Sequence, residues 1–121
     1  MDYTSINVAS KLACFSDHWH PRIIAELNGQ QVKVAKLLGE FDWHEHKDED
    51  ELFWVIEGEL IIRLDDGEVL LKPGELFVVP RGVRHQPVAT EEVHVVLFEP
   101  VSTVNTGGEK TDKTREELER L

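Results

Sequence analysis

The sequence predicts an all-β domain, an antiparallel sandwich or barrel, on three observations. Short apolar runs recur between residues 22 and 98, each closed by a turn rich in Gly, Pro, Asn or Asp. Asn28-Gly29 separates two apolar-rich runs, the strongest short hairpin signal. The runs LFWVI (52–56) and LFVV (76–79) are apolar at every position, which suggests strands covered on both sides.

The elements follow in order. Arg22 to Leu27 and Gln31 to Leu38 form the hairpin around Asn28-Gly29. Leu52 to Ile56 ends at Glu57-Gly58, and Leu60 to Leu64 ends at Asp65-Asp66-Gly67. Val69 to Leu71 leads into the turn Lys72-Pro73-Gly74-Glu75, then Leu76 to Val79, which Pro80-Arg81-Gly82 breaks. His85 to Val88 reads as a short strand and Val93 to Phe98 as the last strong one. Beyond Pro100 the stretch STVNTGGEK is polar and loop-like. Thr114-Arg-Glu-Glu117 has the form of a capping box, with Leu118 and Leu121 on one face, so a short C-terminal helix is expected. The chain of 121 residues reads as a single domain, residues 1–121, with its core at 22–100 and a loop and short helix over 101–121.

Composition narrows the functions. The formal net charge of -11 disfavours nucleic acid, whose phosphates need a basic surface, and anionic membranes. One cysteine, Cys14, excludes an intramolecular disulfide. No run of eighteen apolar residues occurs, and MDYTSINVASKLACF lacks a basic start followed by an apolar stretch. The expectation is a soluble, cytoplasmic protein.

The stretch WHEHKDEDEL (43–52) carries the chemistry. Alternation along a strand points His44 and His46 the same way, with Cα atoms ~6–7 Å apart. Two imidazoles hold a divalent ion weakly, so a third donor is needed, and a carboxylate adds charge as well as an oxygen. Glu51 has the wrong parity for that strand and joins only if Lys47-Asp48-Glu49-Asp50 bends. It also heads an apolar run, so it is the acid most readily drawn inside. Glu45, Asp48, Glu49 and Asp50 are expected at the surface.

Residues 39–58 resemble the first motif of the cupin superfamily, G-x5-H-x-H-x3/4-E-x6-G. His44, His46, Glu51 and Gly58 match, while Gly39 lies four residues before His44 instead of five. Gly74, Pro80, Gly82 and His85 match the second motif, G-x5-P-x-G-x2-H-x3-N, with Ala89 at the final position. The resemblance implies a double-stranded β-helix, the jelly-roll barrel of that family. It implies one divalent transition metal (Fe, Mn, Ni, Co or Zn) held by His44, His46, Glu51 and His85. Four donors on a six-coordinate ion leave two positions for water or substrate.

Other residues compete for roles. Trp43, Phe53, Trp54 and Phe77 are candidates for walling a ligand pocket, although aromatics in strands are first of all core. Arg63 could meet an anionic substrate, and His94 could line the barrel. His18-Trp19-His20 reads as a surface or strand lead-in segment. The functional expectation is an enzyme acting on a small organic molecule, for instance of dioxygenase or sugar-phosphate isomerase type. The alternative is a non-catalytic binding or sensor module. A homodimer is expected, with residues 1–20 or the last helix as interface candidates, because a short chain gains from burying more surface.

Overall fold

The computed structural model describes residues 3–121, so the first two residues of the segment 1–20 lie outside it. A five-residue helix, α1 (Val8–Leu12), opens the described chain, and its Asn7 cap accepts from the Ser10 N–H at 2.9 Å. Seven strands follow: β1 (Arg22–Leu27), β2 (Gln30–Glu40), β3 (Glu51–Glu57), β4 (Leu60–Leu64), β5 (Gly67–Leu71), β6 (Leu76–Val79) and β7 (His85–Pro100). Every strand pairing is antiparallel. The order β1-β2-β7-β3-β6 forms one path, and β4, paired with β5, joins through β7.

The long β7 unites the fold. Its first residues, His85 to Val88, pair with β4, and its later ones pair with both β2 and β3. The sequence divides this stretch into two short strands. The structure makes it continuous, with exposed Thr90-Glu91-Glu92 in the middle. Inward residues from the strands meet in one core that includes Leu37, Phe53, Val55, Leu60, Ile62, Val95 and Leu97. Period-two alternation places them there: Glu51, Phe53 and Val55 face in while Leu52, Trp54 and Ile56 face out.

Two expectations are corrected. The LFWVI and LFVV strands are not covered on both faces: Trp54, Leu76 and Val78 are 42%, 54% and 43% exposed. Helix α1 packs its Leu12 with Ile24, Val34 and Val96, with Ile56 of β3 at the margin, so it shields the β1–β2–β7 part of the outer face and leaves Trp54, Leu76 and Val78 open.

The expected C-terminal helix is absent too. Residues 114–121 are extended or bent, and the Thr114 hydroxyl accepts from the N–H of Thr111 instead of capping forward. The tail runs along β1, with Ile23 N–H donating to Glu119 at 2.9 Å and Leu121 N–H to Ile23 at 3.0 Å. An edge strand with unpaired backbone groups outcompetes a two-turn helix, which is marginal by itself.

Candidate metal centre

His44 and His46 come from the segment between β2 and β3, Glu51 begins β3, and His85 begins β7. His44 and His85 form an isolated bridge, exchanging backbone hydrogen bonds at 3.0 and 2.9 Å. The His46 carbonyl accepts from Gly82 N–H at 2.8 Å, which ties the first motif to the turn of the second. The chain then bends through Lys47 to Asp50, and Glu51 enters β3 opposite Val79. That bend corrects the parity mismatch noted above. All four side chains are buried, and one donor atom from each lies within 4.8 Å of the others. Glu45, Asp48 and Asp50 are exposed and Glu49 half-buried, with Asp50 accepting from Arg81 N–H and Glu49 from Ser102.

The donor atoms are prepared for an ion. His44 Nδ1 donates to the Asp42 carbonyl at 2.8 Å and His85 Nδ1 to the Val83 carbonyl at 2.9 Å. With Nδ1 protonated, each Nε2 carries the free lone pair. His46 Nε2, Glu51 Oε1 and His85 Nε2 are buried without a hydrogen-bond partner. Glu51 Oε1 lies 3.3 Å from His46 Nε2 and 3.4 Å from His85 Nε2, separations suited to atoms grouped about a common centre. Orphaned polar atoms at one point are costly unless something sits between them. The residues fit a divalent transition ion.

Electrostatics agree. Burial, and then the adjacent His85, push His44 down to about 4, so its imidazole is a neutral donor. Burial raises Glu51, but the polar groups of Glu99, His46 and His85 beside it outweigh this and hold the carboxyl well below the usual range. Burial and the Glu51 charge push Glu99 well above that range, against the pull of Lys33. Lys33 donates to Glu99 Oε1 at 2.7 Å.

Sequence reasoning missed this Lys33–Glu99 support. Its signal is parity: Lys33 alternates with Ala35 and Leu37, and Glu99 with Val95 and Leu97, all inward.

A small cavity opens at the site, walled by Trp19, Leu37, Phe41, Phe53, Pro87 and Leu97, with His44 and Glu51 on one side. Its free volume of about 30 Å³ holds only one or two water-sized groups. Of the aromatic candidates, Phe53 lines it. Trp43 lies under Arg84, whose guanidinium carbon is 4.6 Å from the ring centre, and with His44 it borders a second opening beside the centre. Trp54 faces outward, and Phe77 packs half-buried against the core beside Phe53. Arg63 donates to Glu40 and Gln86, away from the cavity. His94 lies between Glu57 and Glu92 at the surface. Trp19, read from sequence as part of a lead-in segment, is a cavity wall.

The sequence pattern of the Cupin domain matches residues 30–101. The chain belongs to the cupin family. A cupin-2 domain containing protein from Shewanella frigidimarina has 48% identity and a TM-score of 0.78, over 78% of this chain and 93% of that one. Acireductone dioxygenase of Bacillus licheniformis is 33% identical over 60% of this cupin and 44% of its own length. The 3-hydroxyanthranilate 3,4-dioxygenase of Jannaschia sp. is 37% identical over 46% of this cupin and 33% of its own length. The cupin thus spans 33% to 57% of the curated relatives it matches. No helix of the described residues is long and apolar enough to cross a membrane.

Proposed function

We propose that this cupin is a mononuclear metal enzyme acting on a small organic molecule, with His44, His46, Glu51 and His85 holding one divalent transition ion. The convergence of four buried donors, three of their atoms lacking any partner, carries the reading. The bound ion would supply Lewis acidity and open coordination positions. The Asp42 and Val83 carbonyls fix two imidazoles, Glu99 steadies Glu51, and the apolar wall keeps water from the reacting group. Two relatives are named as dioxygenases, which makes dioxygenation the first reaction to test.

A second reading, a metal-dependent binding or sensor module without turnover, draws support from the small cavity. Elemental analysis of natively purified protein decides the metal, with about one ion per chain expected and none in His46→Ala. Oxygen uptake with vicinal diols and aminophenols then separates the two readings. Turnover lost in a folded His46→Ala supports the enzyme, and stabilisation by ligand without turnover supports the module. A native protein that takes up no transition metal at neutral pH overturns both.

A further inference from the structure

After β7 the chain turns back across the loop that carries His44 and His46. Backbone bonds tie both ends of this stretch to the barrel: Val101 N–H donates to Gly29 at 3.0 Å, and Glu119 and Leu121 pair with Ile23. Between them, among the described residues, the backbone–backbone bonds of 104–118 stay inside the segment, as in Gly107 N–H to Val104 at 2.9 Å. Side chains fasten its middle to the loop between β2 and β3. The Thr111 hydroxyl donates to Asp42 Oδ2 at 2.6 Å, Lys113 Nζ lies 3.5 Å from Asp42 Oδ1, and the Ser102 hydroxyl donates to Glu49 at 2.7 Å. The carbonyl of the same Asp42 accepts from His44 Nδ1, so this fastening reaches a metal ligand. Gly107 lies against Glu45, between His44 and His46 in the chain, so closely that a Cβ would collide with the Glu45 carbonyl.

The segment rims three cavities that border the ligands. Asn105 lines the small one behind His44. Thr106 and Gly108 line a second, of about 290 Å³, beside His44. Gly107 and Gly108 line a third, of about 170 Å³, beside His46. Gly108 is common to the last two, so the segment is the partition between them. Both openings stop short of the ligands, because His44 and His46 are only 8% and 4% exposed.

Lifting the segment costs little. Residues 102–113 include one aliphatic side chain, Val104, so little apolar burial is forfeited. Buried Thr106 bonds its hydroxyl to Thr114, a partner that moves with it. What opposes lifting is a few polar contacts, each modest in net terms because water replaces them. Segments held in this way open well below the free energy of global unfolding.

We infer that residues 102–118 are a strap that gates the metal centre, latched on Asp42 by Thr111 and Lys113. The structure shows the strap closed, and lifting it joins the two openings into one groove over His44, Glu45 and His46. Ion and ligand enter and leave while the strap is up. This rests on the metal-site reading and adds a regulation of that site.

The test follows Co(II) uptake by absorbance after rapid mixing, and its release into excess EDTA, in wild type and in Thr111→Val combined with Lys113→Met. A gate changes both rates and leaves their ratio alone, because the strap contributes no ligand. The latch variant is expected to take up and release Co(II) about fivefold faster, with a dissociation constant unchanged within about twofold. Ser102→Ala, which loosens the other anchor, should show the same pattern more weakly, and it decides the matter if the double variant fails to fold. Wild-type rates in a folded variant overturn the gate. Faster release with unchanged uptake overturns it too, because the Thr111 and Lys113 contacts would then only hold His44 in place. A chain that takes up no Co(II), latched or unlatched, sinks the metal reading and leaves the strap nothing to gate. Uptake and release at equal rates in wild type and variants sink the strap alone.

Discussion

Lys33 Nζ lies 2.7 Å from Glu99 Oε1, and both side chains are 2% exposed. The pair bridges the two core strands β2 and β7. Lys33, Glu99 and Glu51 form a buried row ending at the metal centre. Removing one member of a buried network costs more than the network contributes, because it strands the others.

Lys33→Ala is therefore expected to destabilise the protein by roughly 3–5 kcal/mol in urea titrations. Lys33→Met combined with Glu99→Leu should recover part of that loss, since apolar side chains replace the stranded pair. Equal stability of Lys33→Ala and wild type would show that the row contributes nothing.

The metal-free protein should weaken in acid. His44 is held at about 4, against an ordinary value of about 6.5, so the unfolded chain takes up a proton that the folded chain refuses. Stability from this group is fully present above pH ~6.5 and falls as pH drops toward 4, by roughly 3 kcal/mol at pH 4. Urea midpoints at pH 7, 5 and 4 measure it, and His44→Asn should flatten the slope.

Chelation should leave a folded protein, because the main apolar core is built from residues other than the ligands. Zn(II) or Co(II) at a thousandfold excess over its dissociation constant should then raise stability by about 4 kcal/mol. His46→Ala should lose that increment. Thermal melts with and without metal measure both, and an unfolded apo-protein would instead mark a structural site.

Gly107 adopts φ +69°, and a Cβ there would collide with the Glu45 carbonyl. Gly107→Ala should cost roughly 1–3 kcal/mol and loosen the C-terminal segment from the ligand loop. Limited proteolysis should then cut near residues 105–115 faster than in wild type.

Trp54 pairs across the sheet with Leu76, and Leu52 with Val78, leaving an apolar stripe on the outer face of β3 and β6. A homodimer through this stripe is proposed, as contiguous exposed apolar surface marks interaction sites. Trp54→Glu should lower the sedimenting mass at micromolar concentration, and a monomeric wild type would refute the dimer.

The sequence by itself determined what local spacing can carry. Asn28-Gly29 set the first hairpin, and the two motifs placed His44, His46, Glu51 and His85 together. These signals are local, because turn dihedrals and strand periodicity act over a few residues. Only the tertiary structure decided the rest. The residues at 114–121 have a capping-box pattern, yet the unpaired edge at Ile23 draws them into extended pairing. Lys33 and Glu99 lie 66 positions apart and meet only when β2 and β7 pair. Trp19 reaches the cavity because a distant bulge offers it the Leu38 carbonyl. Each depends on a partner from another part of the chain, and a linear pattern does not encode who that partner is.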